Sequence, residues 1–187
     1  SVAAGNGHIN ALKYLLDNCA DESIINGAKE RQPPLHYACS NGKTDAVRYI
    51  VEKYPHTVNL NASADTKHCT PLHVAAENGN VECIEILLQH GAEIDATDVD
   101  GATTLFYAAS NGKLAAVKFL HDRGASALVT DQRGWLPLHT VCFKGHVAMT
   151  RYLLEYYPKT VNCTTSEEND RRTPLHIAAQ SGNVDCI

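Results

Sequence analysis

The chain has 187 residues, of which 44% are hydrophobic and 20% are charged, a composition typical of a globular protein rather than a disordered one. Sixteen basic residues against 21 acidic residues give a formal net charge of −5. This balance argues against a nucleic-acid partner, because nucleic-acid-binding proteins normally present a basic face. No apolar run reaches the roughly 18 residues that a transmembrane helix needs, so we expect no direct membrane insertion.

Taken in chain order, the apolar residues predict pairs of short helices that recur along the chain. Each first helix contains an anchor leucine and is expected to end six residues after it, and a glycine follows one residue later. Each second helix presents apolar residues on one face, as Val81, Ile84, Leu87 and Leu88 do in one copy. The anchor leucines are Leu35, Leu72, Leu105, Leu138 and Leu175, with spacings of 37, 33, 33 and 37 residues.

Two of the first helices begin with a threonine–proline pair. Thr70 and Thr173 are expected to be N-cap residues, and Pro71 and Pro174 then occupy the first helical position, where a missing N–H costs nothing. Leu136 stands in the place of the threonine in another copy, so we expect no side-chain cap there.

Short and long linkers connect the second helix of one copy to the first helix of the next. In the two short linkers, Gly101 and Gly134 are expected to have positive φ, because they close a tight turn. His68 and Arg171 occupy the same position in two long linkers. We expect ordinary backbone conformations for these two residues.

The two long linkers, 54–68 and 157–171, are similar to each other. Each begins with a Tyr-Pro pair, and Pro55 and Pro158 are expected to end the preceding helix. The sequence assigns no further role to either linker.

The phrase Thr-Pro-Leu-His-x-Ala is complete at residues 70–75 and 173–178 and partial in three other copies. In its period and signature this unit resembles the ankyrin repeat, a unit of about 33 residues. The resemblance covers nearly the whole chain and implies an all-α solenoid of helix–turn–helix units joined by β-hairpin-like loops. We expect residues 1–187 to form one monomeric domain of about six repeats, cut from a longer array, with the first and last repeats incomplete. The apolar residues expected to be less covered in these outer repeats are Val2, Leu12, Ile177 and Ile187.

The sequence carries no pattern that predicts catalysis, a metal site or a cofactor, so we expect a protein that is not an enzyme. Four of the ten histidines occupy the signature position and are expected to be structural, and no H-E-x-x-H motif occurs. Phe106 replaces this histidine in the fourth repeat and is expected to face either a neighbouring repeat or the groove. Seven cysteines, with no C-x-x-C pair, fit neither a disulfide framework nor a zinc site and favour a reducing, cytoplasmic location. The signature histidines are His36, His73, His139 and His176.

The resemblance also implies a concave face, formed by the loop tips and the exposed side of each first helix, on which ankyrin-like stacks bind partners. In the fifth repeat this face carries aromatic and basic residues of the kind enriched in binding hot spots. An alternative interpretation is that Trp135 packs on the neighbouring loop. The predicted partner-binding residues are Arg133, Trp135, Phe143 and Lys144 at the centre, Glu77, Asn78, Asp100 and Asn111 on one side, and Arg172 and Gln180 on the other.

Two functions follow from the resemblance. The first is a non-catalytic scaffold that binds a partner protein or peptide through its concave face. The alternative is that the repeats belong to a larger enzyme or membrane channel and serve there in assembly or regulation. The sequence on either side of residues 1–187 would distinguish the two.

Overall fold

The helices form a two-layer stack in the computed structural model, which describes residues 2–18, 22–27, 32–62 and 67–186. The first helices of the repeats, defined below, pack on one another in chain order, and the second helices pack against their outer side. The expected all-α solenoid is therefore confirmed. Within the described residues, the first helices are α1 (Val2–Asn6), α4 (Pro34–Ser40), α6 (Pro71–Asn78), α8 (Thr104–Ser110), α10 (Pro137–Lys144) and α12 (Pro174–Gln180). The other helices are α2 (Ile9–Asn18), α3 (Glu22–Ile25), α5 (Thr44–Lys53), α7 (Val81–Gln89), α9 (Leu114–Asp122) and α11 (Val147–Tyr156).

The expected threonine caps begin α6 and α12. The Thr70 hydroxyl accepts a hydrogen bond from the backbone N–H of His73 at 3.5 Å, and the Thr70 N–H donates to Nδ1 of His73 at 3.2 Å. Thr173 is bonded to His176 in the same way. Leu136 offers no side-chain cap, as expected, but its N–H still donates to Nδ1 of a signature histidine at 3.0 Å. The hydrogen bond from the backbone N–H to the histidine is therefore kept in the repeat that lacks the threonine.

Three signature histidines also join neighbouring repeats. They are fully buried, and each ring donates from Nε2 to a backbone carbonyl of the next repeat. Burial lowers the pKa of all three rings, that of His36 to about 4, so that the rings are neutral in the folded protein. Phe106 cannot make this bond and interrupts the series. The Nε2–carbonyl pairs are His36 with Cys69 at 2.9 Å, His73 with Ala102 at 3.1 Å, and His139 with Arg172 at 3.2 Å.

Coverage at the two outer repeats differs from the expectation. Val2 is 73% exposed, as expected, but Leu12 and Ile177 are each only 3% exposed, so the prediction for these two was wrong. They are covered because α2 packs against α5 and α12 packs against α10. The anchor leucine of the last repeat, Leu175, is exposed instead. It is 53% exposed, whereas the other four anchor leucines are at most 1% exposed. Ile187 lies outside the described residues.

The glycines of the short linkers have the expected conformation, but the long linkers do not. Gly101 and Gly134 have φ of +80° and +73°. His68 and Arg171 also have positive φ, +54° and +49°, so the prediction of ordinary conformations was wrong. The residue before each, Lys67 and Asp170, is left-handed as well. The turn that brings the chain back to the next helix needs this conformation whichever residue is present, and the non-glycine residues adopt it at some cost in strain.

The long linkers tie neighbouring repeats together through their opening Tyr-Pro pairs. The helices α5 and α11 end before these pairs, as expected, and 3₁₀ turns follow at Pro55–Thr57 and Pro158–Thr160. The Tyr54 hydroxyl donates to the carbonyl of Leu16 in the preceding repeat at 3.1 Å. The equivalent Tyr157 hydroxyl donates to the carbonyl of Ala125 at 3.0 Å. The tyrosines therefore supply an inter-repeat bond at the position where the short linkers have a glycine.

Candidate partner-binding groove

Two buried aspartates shape the short linkers into projecting fingers. The Asp131 carboxylate accepts hydrogen bonds from the backbone N–H groups of Arg133 at 2.9 Å and Trp135 at 2.8 Å. Asp98 accepts from the N–H groups of Asp100 and Ala102 in the same arrangement. Neither aspartate was predicted as a structural residue, although each stands three residues before the linker glycine, a spacing that favours a turn closed by the carboxylate.

The tip of the long linker 157–171 forms a further finger, and neighbouring fingers are hydrogen-bonded to one another. The N–H of Gln132 donates to the carbonyl of Asp100 at 2.7 Å, and the N–H of Ser166 donates to the carbonyl of Arg133 at 3.1 Å. Gly134 lies under this second contact, where a Cβ atom would come within 2.4 Å of the Ser166 nitrogen. The fingers are therefore held in a fixed row along one edge of the stack.

An aromatic pair stands at the fifth repeat, where sequence analysis placed the centre of the binding surface. The Trp135 and Phe143 rings meet edge-on, with centroids 5.7 Å apart. The guanidinium of Arg133 lies 4.8 Å from the Trp135 ring, and its Nη2 pairs with Asp131 at 2.7 Å. Trp135 is half-buried by these contacts, whereas Phe143 is 53% exposed. Trp135 therefore packs against its own finger and against α10, and it still presents part of its ring to solvent.

These residues line a groove of about 560 Å³ between the fingers and the helices α6, α8 and α10. Phe106 also lines the groove, although it is only 7% exposed, which answers the question left open for it. The lining also includes residues that were not predicted as partner-binding residues, among them Asp98, Tyr107 and Thr140. The predicted residues that line the groove are Glu77, Asp100, Asn111, Arg133, Trp135, Phe143 and Lys144.

The remaining three predicted residues lie outside this groove. Arg172 and Gln180 are hydrogen-bonded to each other and line a second depression, of about 540 Å³, on the far side of Trp135 and Phe143. Asn78 is exposed, and its amide donates to the carbonyl of Val74 within α6 at 2.9 Å. The structure does not bring Asn78 to the groove.

Lys144 has a structural contact that its sequence position did not indicate. Its Nζ donates to the backbone carbonyl of Ser110 at 2.7 Å and to the Ser110 hydroxyl at 2.9 Å. His146 approaches the same carbonyl at 3.3 Å. A cation at the carboxyl end of a short helix satisfies carbonyls that have no partner within the helix. Lys144 therefore joins α10 to the end of α8 while its charge stays at the groove.

One wall of the groove is a partly buried hydrogen-bonded cluster. The Tyr107 hydroxyl donates to Asp98 Oδ2 at 2.8 Å and accepts from the Cys69 thiol at 3.2 Å. Burial raises the pKa of both the Tyr107 hydroxyl and the Cys69 thiol, so both stay protonated at neutral pH. This wall is therefore rigid and carries its negative charge on Asp98 alone.

Two features are absent from the described residues. No helix among them is both long enough and apolar enough to span a bilayer. Their histidine, cysteine and acidic side chains form no group of three or more that could hold a metal ion.

Comparison with known proteins matches the chain to a family model described as ankyrin repeats (3 copies), at residues 1–98 and 105–187. The chain is 33% identical over 101 residues to a palmitoyltransferase, AKR1, of Lachancea kluyveri, a match covering 54% of the chain and 13% of that protein. It is 35% identical over 100 residues to a transient receptor potential cation channel subfamily A member 1 homolog of Caenorhabditis elegans, covering 54% and 8%. It is 33% identical over 96 residues to alpha-latrocrustotoxin-Lt1a of Latrodectus tredecimguttatus, covering 51% and 6%. The chain thus spans a small part of each relative. Because the family model matches most of its length, the chain belongs to the ankyrin-repeat family.

Proposed function

We propose that this chain is a non-catalytic interaction module that binds a segment of another protein along the groove between its fingers and first helices. The observation that carries the proposal is the aromatic pair of the half-buried Trp135 and the exposed Phe143 at the edge of that groove. Ankyrin repeats as a class are associated with protein–protein interaction.

The fold itself does not require an aromatic residue at position 143. Serine, glutamate, serine and glutamine occupy the equivalent place in the other repeats, at Ser40, Glu77, Ser110 and Gln180. Phe143 is more than half exposed and adds apolar surface that lowers solubility unless a partner covers it. This supports a binding role for the side chain rather than a packing role.

The rigidity of the fingers also supports binding. The carboxylates of Asp98 and Asp131 and the finger-to-finger bonds hold Arg133 and Trp135 in place before a partner arrives. A pre-organised surface loses less conformational entropy on association, which favours affinity.

Replacement of Phe143 tests this function. We expect Phe143→Ala to abolish or strongly weaken capture of the natural partner from a cell extract and to leave the melting temperature nearly unchanged. Leu128→Ala is the matched control, because Leu128 is 54% exposed and does not line the groove. Equal capture by the wild type and Phe143→Ala would contradict the proposal.

A second candidate function is that the repeats serve in assembly or regulation within a longer enzyme or channel. The similarity to parts of a palmitoyltransferase and of cation channels favours it. The full-length transcript tests it, because a catalytic or membrane-spanning region beside residues 1–187 would support it and its absence would remove it.

A further inference from the structure

The groove passes over a repeat that has small side chains at two positions where the following repeats have larger ones. Ala102 stands where the following repeats have Trp135 and Arg172. Ser110 stands where they have Phe143 and Gln180. We call the resulting space the central cleft.

The lining of the central cleft combines the buried Ala102 and Phe106 with the more exposed rings of Tyr107, Trp135 and Phe143. This aromatic lining suits one flat, largely apolar side chain.

A polar atom among these apolar groups has no partner. Thr140 lines the groove and is 5% exposed, and its Oγ1 makes no hydrogen bond. The equivalent residues in the other four complete first helices are Tyr37, Val74, Tyr107 and Ile177, none of which buries an unpaired hydroxyl. A buried hydroxyl without a partner is unfavourable, so a ligand group that bonds to it adds affinity.

The charges of the groove are unequal at its two ends. Lys67 is paired with Asp100 at 2.7 Å, and Arg133 is paired with Asp131 at 2.7 Å. Among the described lining residues this leaves two exposed charges without an ion pair. They are Glu77 on α6 and Lys144 on α10, and α8 lies between them. The carboxylate of Asp98 also lines the groove, but it is buried and accepts hydrogen bonds from Tyr107 and two backbone N–H groups. The exposed unpaired charges are therefore acidic at one end of the central cleft and basic at the other.

We propose that the central cleft takes a tyrosine side chain of an extended partner segment, with the phenolic hydroxyl bonded to Thr140 Oγ1. A basic residue of the segment then lies at Glu77 and an acidic residue lies at Lys144. This inference rests on the proposed function and adds the chemistry of the bound segment. Thr140 Oγ1 is covered in the free protein, so binding includes a change of rotamer at the cleft, which is common at protein interfaces.

A phage-displayed library of random 12-residue peptides, selected on the chain, is the probe. We expect recovered peptides to share a tyrosine with a basic residue on one side and an acidic residue on the other. Trp135 is the chain's single tryptophan, so its fluorescence measures the affinity of each synthetic peptide directly at the cleft.

Combined substitutions in peptide and protein isolate the hydroxyl contact. We expect Tyr→Phe in the peptide to weaken binding about tenfold, the scale of one hydrogen bond made to an otherwise unpaired group. Thr140→Val should remove this preference for tyrosine, and Thr140→Ser should keep it. Thr140→Val should fold at least as stably as the wild type, because it deletes an unpaired polar atom.

The outcomes separate the two proposals. Peptides that need Phe143 but bind equally well with phenylalanine, or keep their preference for tyrosine in Thr140→Val, overturn the tyrosine cleft and leave the proposed function standing. Failure to recover any peptide, or recovery of peptides insensitive to Phe143→Ala, contradicts both proposals.

Discussion

Pro33 leaves the buried Nδ1 atom of His36 without a hydrogen-bond donor. In three other repeats this atom of the signature histidine accepts from the backbone N–H three residues earlier, at Thr70, Leu136 and Thr173. Proline has no N–H, and His36 Nδ1 is buried with no partner. An unpaired buried acceptor costs about 1–3 kcal/mol. His36 therefore makes one hydrogen bond fewer than His73 and His139, the other two histidines that bond to the next repeat.

Pro33→Thr should stabilise the chain by about 1 kcal/mol, because it supplies both the missing N–H and a capping hydroxyl, less the loss of proline's restriction of the unfolded chain. Pro33 has φ −58° and ψ 151°, close to the −79° and 164° of Thr70, so threonine fits without strain. Denaturant unfolding measures the gain. Pro33→Ala, which restores only the N–H, should show a smaller gain in stability. A loss of stability in both variants would contradict the explanation that His36 Nδ1 lacks a donor because of Pro33.

Gly134→Ala should destabilise the chain by more than Gly124→Ala. Both glycines have positive φ, +73° and +88°, so each alanine incurs a conformational cost of about 1 kcal/mol. Only at Gly134 does the new Cβ also collide with the Ser166 backbone, and nothing lies within 4 Å at Gly124. We therefore expect an additional cost of at least about 1 kcal/mol at Gly134 in thermal or urea unfolding. Equal losses of unfolding free energy in the two variants would show that the Ser166 backbone moves away from residue 134 without a measurable cost.

Arg171→Gly should stabilise the chain by about 1 kcal/mol, because glycine adopts positive φ without the steric cost that a Cβ imposes. Arg171 is exposed, and its ion pair with Glu167 at 3.6 Å contributes little at the surface. The control is Arg171→Ala, which removes the same charge and keeps the strain. If the glycine and alanine variants unfold at the same urea concentration, the backbone at 171 is not strained.

Stability should fall as the pH is lowered from about 6.5 towards 4. His36, His73 and His139 have folded-state pKa values lowered by burial, that of His36 to about 4, whereas the unfolded chain protonates near 6.5. The unfolded state binds more protons in this window, so the stabilisation is fully present above pH 6.5 and is lost as the pH falls. For His36 the change is on the order of 3 kcal/mol.

Urea unfolding at pH 7.5 and pH 5 measures this dependence. His36→Phe is a suitable control variant, because Phe106 occupies the same position in the fourth repeat. The variant should lose part of the difference in unfolding free energy between the two pH values. An identical pH dependence of the unfolding free energy in His36→Phe and the wild type would show that His36 does not contribute to the loss of stability at low pH.

The helices and their register were predictable because their signals are local and repeated. Thr70 and Pro71 define a helix start by their own capping and backbone chemistry, and the spacing of the anchor leucines places each unit on the next. The same register placed Trp135 and Phe143 on the concave side, and the structure finds both at the groove.

Other features depend on partners distant in the sequence. Arg171 has positive φ because the long linker must turn back where Thr165 and Arg172 are hydrogen-bonded to each other, whatever its own preference. Lys144 is tied to Ser110, which is 34 residues away.

The sequence by itself thus determined the repeat, the helices and the face on which a partner is expected, since each arises from local preference repeated at a constant period. Tertiary structure alone decided the contacts between repeats. Thr140 Oγ1 is unpaired because no polar group of the surrounding repeats reaches it, and no local pattern records that.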